Sequence, residues 1–274
     1  MKQQYTAYQV VPYPKMRRLE ALAYRSVQHK PMIHGLLEVD VTRACARLRE
    51  HKATTGESLS FTAFLAACLA KAVDEHKAVQ AYRKGRKRLI VFDEVDVYTP
   101  IERDVAGDSQ IMPTIIRAAN RKTVREIHHE IRAAQAQEVA KAWEGFKPGH
   151  WPWLLLLPAF LVMVRMAERS PQMWKKYRGT VGLTTVGMFG KGAGWGIPLA
   201  SHALWMTVGG IGEKPGVIDG HIAIRDYLSL TISFDHETID GAPAARFTGR
   251  LKELIESAYG LIEKEGVHEI LSHP

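Results

Sequence analysis

Cysteine is scarce in this chain: Cys45 and Cys68 are the only two in 274 residues. Both fall in stretches that read as helix and neither has partners at metal-ligand spacing, so buried, reduced thiols are expected. Histidine is commoner, with twelve residues, yet no set of them shows the spacing of a zinc site, and no metal is expected. The N-terminus lacks a basic-then-apolar leader, which together with the reduced thiols makes a cytoplasmic protein the expectation. Also missing is an apolar run of the ~20 residues that a membrane-spanning helix needs. The run from Trp151 to Val164 is shorter and is broken by Pro152 and Pro158. Basic residues flank it, among them Lys147 and Arg165. Three readings stay open: a helix packed on the core or on a neighbouring subunit, a wall of a substrate channel, or shallow membrane contact through 151–164.

Internal repeats and low-complexity linkers are absent too, so no domain boundary is drawn. With 46% hydrophobic residues, the chain is long enough for one large core. The expectation is a single domain over residues 1–274 with an apolar insertion at about 141–178. A formal net charge of +8 favours anionic partners in general. Its densest cluster, Arg83-Lys84-Gly85-Arg86-Lys87-Arg88, has no interleaved aromatics, so nucleic acid is not the expected partner. It reads as a solvated turn between a helix ending near Tyr82 and a strand at Leu89–Val91, with a phosphate contact to a carrier as the second choice. The glycine-rich stretch Gly190 to Pro198 lacks the strand-then-helix setting of a nucleotide site. It reads as a loop from which Trp195 would line a pocket.

What is present is concentrated in Ser233-Phe234-Asp235-His236-Glu237-Thr238-Ile239-Asp240-Gly241-Ala242. Ahead of it, Tyr227 to Phe234 alternates apolar and small polar side chains and predicts a strand with one buried face. Behind it, Ala244, Ala245, Phe247, Leu251, Leu254, Ile255 and Ala258 share one side of a helix predicted to run to about Ile262. His236 then sits at a strand exit before a helix, where loops present reactive groups. Histidine is the residue whose ordinary pKa lies near neutrality, as a general base requires.

Ser-Phe-Asp-His, three residues, then Asp-Gly-Ala resembles the active-site signature of the dihydrolipoamide acyltransferase catalytic domain of 2-oxoacid dehydrogenase complexes, a relative of chloramphenicol acetyltransferase. The resemblance implies an α/β fold of the chloramphenicol acetyltransferase type: a two-layer sandwich of a mixed sheet with helices on one side. It also implies a homotrimer with sites between subunits. His236 is implied as the base and Asp240 as its mainly structural support beside Gly241, paired with Arg17 or Arg18 of an opening helix. Glu237 stands where these enzymes usually have arginine. Gly179 to Gly187 resembles the family's glycine-flanked strand bearing an oxyanion-donating serine, and Thr184 falls at that position. Other stretches follow the family's order: Leu36 to Val41, Leu59 to Ala72 with Ser60 or Ser58 as cap, Val95 to Tyr98, and a helix near Lys122 to Ala136.

The reaction implied is acyl transfer from a thioester to a thiol, hydroxyl or amine. About fifteen residues precede the first recognisable element, so no covalent lipoyl group is expected on this chain. Acyl groups are expected from a coenzyme A thioester, from a lipoyl domain on another chain or from an acyl-carrier protein. The alternative is a catalytically inactive trimeric scaffold or assembly core that keeps the fold.

Overall fold

The computed structural model describes residues 30–85, 87–105, 108–136, 170–186 and 192–261. Arg17, Arg18 and the apolar run at 151–164 lie outside them. Among the described residues, no helix is long and apolar enough to cross a membrane.

Strand β1 (Met32–Asp40) leads into helix α1 (Thr42–Thr55), which closes at Gly56 with a left-handed φ of 77°. Helix α2 (Phe61–Glu75) starts at Ser60, whose side chain accepts the Ala63 amide, satisfying one of the donors every helix start leaves over. Its alanine-rich sequence lets it lie inside the protein: Ala63 to Ala70, Ala72 and Val73 are all buried. The helix expected to reach Tyr82 ends seven residues earlier. A short 3-10 turn follows, and then a hairpin of β2 (Tyr82–Lys84) and β3 (Arg88–Ile90) carries the basic cluster. Gly85, with φ 67°, supplies the left-handed residue that this tight turn needs.

Strands β4 (Val97–Val105) and β5 (Asp108–Ile116) precede α3 (Val124–Ala136) and α4 (Pro171–Arg178). After them come β6 (Val181–Thr185), the long pair β7 (Leu204–Ile218) and β8 (His221–Asp235), and α5 (Gly241–Glu256). The main sheet has the order β1-β8-β7-β6-β4-β5. It is mixed, with β6 parallel to both neighbours and the other pairs antiparallel. This is the mixed sheet with packed helices that the resemblance implied.

Strand period divides the residues between two faces. In β8, Leu228, Leu230, Ile232 and Phe234 enter the apolar core with α2 and α5. Ser229, Thr231, Ser233 and Asp235 take the opposite face and are buried as well. Part of that second face is covered by residues 192–200, where the Gly194 amide donates to Ser229 Oγ and Trp195 Nε1 to the Leu37 carbonyl. Beyond the pairings of β8 with β1 and of β7 with β6, the β7–β8 hairpin continues as a two-stranded arm. Its register puts Pro215, Val217, Ile222 and Ile224 on one face, and Val217, Ile222 and Ile224 are strongly exposed.

Helix α5 buries Ala244, Phe247, Leu251, Leu254 and Ile255 as the period predicts. It stops at Glu256, short of Ile262, because Ala258 turns left-handed at φ 57° and the Tyr259 amide closes back on the Leu254 carbonyl. Cys68 on α2 is fully buried and Cys45 on α1 partly so; both are free thiols. Desolvation raises both above the usual thiol range, which keeps them protonated and unreactive.

Candidate active site

Where β8 ends, one carbonyl organises the turn. Asp235 O accepts the amides of Thr238 and Ile239 and the Thr238 hydroxyl. The same residue's carboxylate bonds Lys30 Nζ at 3.0 Å and the Glu237 amide at 3.1 Å. Between these anchors the His236 amide donates to the Pro31 carbonyl at 2.9 Å. The backbone on both sides of His236 is therefore held before its ring is considered.

His236 Nδ1 lies 3.0 Å from the Ile239 carbonyl oxygen. A carbonyl only accepts, so Nδ1 carries the proton and the neutral ring keeps its lone pair on Nε2. The side chain is 46% exposed. Asp240 does not orient the ring: its carboxylate is 3.9 Å from Nδ1, beyond hydrogen-bond length, and 89% of its side chain is exposed. It sits at the start of α5, where its carbonyl accepts the Ala244 amide. Gly241 opens α5. The arginines expected to pair with Asp240 lie outside the described residues.

Glu237 forms an ion pair with Arg83 of the β2–β3 hairpin, so the residue after the histidine ties its turn to the basic cluster. The turn and the hairpin also wall a cavity of about 220 Å³ together with Gln80, Trp174 and Ser201. Gln80 and Ser201 escaped the sequence reading because nothing in their local pattern marks them; only the strand ends bring them to His236.

Thr184 lies elsewhere. It is half-buried on β6, laterally paired through Thr207 to Thr231 on β8. The hydroxyls of Thr207 and Thr231 are buried with no hydrogen-bond partner among the described residues. His236 comes five residues after Thr231. At ~3.3 Å per residue and ~4.8 Å per strand, the two positions in one chain are roughly 19 Å apart. Trp195 is on the Thr184 side, pinned to β1 through its indole N–H.

Elsewhere Glu57, His128 and His129 bring three ligand-type atoms within 4.8 Å of one another. The Ser60 amide donates to His128 Nδ1 and Arg125 holds the Glu57 carboxylate. Desolvation, with help from the nearby Arg132 charge, lowers the His128 pKa, so the ring is neutral and its proton is on Nε2. His128 thus has no ring lone pair free for a cation, and His129 Nε2 lies 3.2 Å from Glu57 Oε1.

Comparison with known proteins decides the family. The sequence profile of the 2-oxoacid dehydrogenases acyltransferase (catalytic domain) matches residues 5–143 and 167–262. The chain belongs to this family. Among relatives of this acyltransferase-family chain, the lipoamide acyltransferase component of the branched-chain alpha-keto acid dehydrogenase complex of Bacillus subtilis is 27% identical over 238 residues. That match covers 85% of this chain and 48% of the relative; the chain spans about half the length of the curated relatives it matches. A probable dihydrolipoamide acetyltransferase from Listeria monocytogenes superposes with TM-score 0.69 at 24% identity, covering 94% of this chain and 97% of that one. A dihydrolipoamide acetyltransferase from Azotobacter vinelandii gives TM-score 0.67 at 19% identity, covering 94% and 95%. The profile omits residues 144–166, which include the whole apolar run.

Proposed function

We propose that this protein is an acyltransferase that moves an acyl group from a thioester, a coenzyme A thioester or the thioester of an acyl-carrying protein domain, to a thiol, hydroxyl or amine. The observation that carries the reading is the half-exposed His236 ring, held through Nδ1 by the Ile239 carbonyl, which leaves Nε2 as its lone-pair nitrogen. In the reaction, Nε2 removes the acceptor's proton as the acceptor atom attacks the thioester carbonyl carbon. The carbonyl oxygen becomes an oxyanion, to which Thr184 donates its hydroxyl proton in a hydrogen bond. Collapse of the tetrahedral intermediate breaks the carbon–sulfur bond, and the departing thiolate takes the proton from the imidazolium.

Thr184 and His236 of one chain are too far apart to touch one substrate, so the pair is assigned to two copies, and a homotrimer is the assembly proposed. The exposed apolar face of the β7–β8 arm supports burial against another copy. Spacing adds weight. In the Azotobacter vinelandii enzyme, a serine, a histidine and an asparagine were investigated for their role in catalysis, and their separations along that chain equal those of Thr184, His236 and Asp240 here.

The test is thiol release from acyl-coenzyme A with a panel of acceptors. His236→Ala is expected to keep the assembly and lose transfer; a His236→Ala protein that still transfers acyl groups overturns the assignment. Thr184→Val is expected to lower kcat on the order of 100-fold with KM little changed.

A further inference from the structure

The hairpin of β2 and β3 carries the densest run of positive charge on the chain, and its base is fixed beside the His236 turn. Tyr82 packs its ring on Trp174 of α4, with centroids 5.5 Å apart, and Arg83 pairs with Glu237. Beyond that base the charge is uncompensated. Of the described side chains Arg83, Lys84, Lys87 and Arg88, only Arg83 has a carboxylate partner. Lys87 and Arg88 are exposed at the turn. Lys84 and Arg88 are partners in register, and like charges directly opposite each other destabilise an antiparallel pair. An anion seated on the hairpin relieves that repulsion.

The arrangement selects the kind of anion. A small phosphate is held best by donors that converge on it. Lys84, Lys87 and Arg88 do not converge: none of them lines the cavity at the His236 turn, and all three stand on or next to a tight turn. Aliphatic surface adjoins the charges as well, since Leu89 and Val91 are 51% and 50% exposed. Spread cations beside aliphatic side chains fit the face of a protein that offers carboxylates around apolar residues.

We propose that the β2–β3 hairpin is the docking surface for an acidic protein domain, which meets Lys84, Lys87 and Arg88 with carboxylates and Leu89 and Val91 with apolar side chains. Tyr82 and Arg83 at the hairpin base wall the cavity at the His236 turn, so a domain seated on the hairpin is held beside the candidate base. What it brings there is the acyl thioester, and the hairpin favours a protein-borne donor over free coenzyme A. In calling the partner an acyl donor, the inference rests on the acyl-transfer reading. The dock itself rests on the charge and exposure of the hairpin. Unpaired surface cations attract a polyanion over a Debye length of ~10 Å, so the docking is sensitive to salt.

The probe is a short fluorescent peptide of aspartate, glutamate and leucine with one S-acetylated cysteine, and its control has asparagine and glutamine in place of the acids. Binding to the intact protein is followed by fluorescence anisotropy. At low salt the acidic peptide is expected to bind at least about tenfold more tightly than the control, and high salt should erase the difference. Lys87→Glu with Arg88→Glu should erase it too; this variant keeps the hairpin, because it sets a carboxylate opposite Lys84. In the same variant kcat/KM for acetyl transfer from the acidic peptide should fall about tenfold through KM, with transfer from acetyl-coenzyme A unchanged. Equal binding of the two peptides, full binding by the double variant, or displacement of the peptide by an equal concentration of coenzyme A overturns the proposal. Sedimentation of the wild type with phosphatidylglycerol vesicles, lost in the double variant, also overturns it and makes the hairpin a lipid contact. Docking and chemistry fail separately: a bound acidic peptide with no transfer from any donor sinks the acyl-transfer reading and leaves the dock standing, and transfer from acetyl-coenzyme A without a preference for the acidic peptide does the opposite.

Discussion

Replacing Asp235 is expected to loosen the His236 turn and to cost measurable stability. Its side chain is 5% exposed and makes two different contacts, the Lys30 ammonium at 3.0 Å and the Glu237 amide at 3.1 Å. A hydrogen bond to a charged group contributes ~1.5–3 kcal/mol. Breaking a buried ion pair costs ~3–5 kcal/mol, a figure reduced here because Lys30 is 33% exposed and partly hydrated. Asp235→Ala removes both contacts and leaves the Glu237 amide unpaired, for a loss of about 3 kcal/mol. Asp235→Asn keeps an oxygen for that amide and discards only the charge, for about half as much. Either loss is small enough, against the ~5–15 kcal/mol of a typical domain, for the protein to stay folded. Urea unfolding should show lowered midpoints with unchanged slopes. A Lys30→Met substitution should cost less in the Asp235→Asn background than in the wild type. Turnover should fall at least about tenfold in Asp235→Ala, because a displacement of the proposed base, His236, by about an ångström is enough for that. The reasoning is refuted if Asp235→Ala unfolds within ~0.5 kcal/mol of the wild type, a span ordinary for substitutions that touch nothing, or if Asn is as costly as Ala.

Three further outcomes follow from the same geometry. A Cβ at Gly182 would lie 2.0 Å from the Trp205 ring, so Gly182→Ala should cost ~1–3 kcal/mol through overpacking and lower Tm in a calorimetric scan. Reversing one partner of the exposed Arg83–Glu237 pair should change stability by no more than ~1 kcal/mol yet lower kcat; Arg83→Glu with Glu237→Arg should recover most of the turnover, and a double variant no better than the singles argues against the tie. Glu75 is held below the usual carboxylate range, chiefly by its hydrogen bonds to Arg250 across α2 and α5. A depressed folded value means that its contribution is present above the unfolded pKa of about 4.3 and lost as pH falls through the folded one. The urea midpoint of Glu75→Gln should therefore trail the wild type at pH 7 and converge with it as the pH falls below the folded value.

Local patterns carried much of the fold. The Tyr227 to Phe234 alternation became the inner part of β8, and the Ala244 to Ile255 spacing became the buried stripe of α5. Ser60 caps α2 as its position suggested. Sequence alone puts the basic cluster after a helix ending near Tyr82, because the polar run Asp74 to Lys77 does not by itself mark where α2 stops. Nor does sequence spacing show that the carbonyl of Ile239, and not the carboxylate of Asp240, meets His236 Nδ1. That choice depends on how tightly the turn closes on the Asp235 carbonyl.

By itself, the sequence determined the family, the elements whose period is strong and the histidine at a strand exit, because those depend on residues close together in the chain. Only the tertiary structure decided what surrounds that histidine. Lys30 from before β1, Gln80 and Arg83 from after α2, Trp174 from α4 and Ser201 from before β7 meet at one end of the sheet. Such meetings follow from strand order and register, which join residues up to 205 positions apart. The same register puts Thr184 and His236 roughly 19 Å apart within one chain, which is the physical reason the proposed site draws them from two copies.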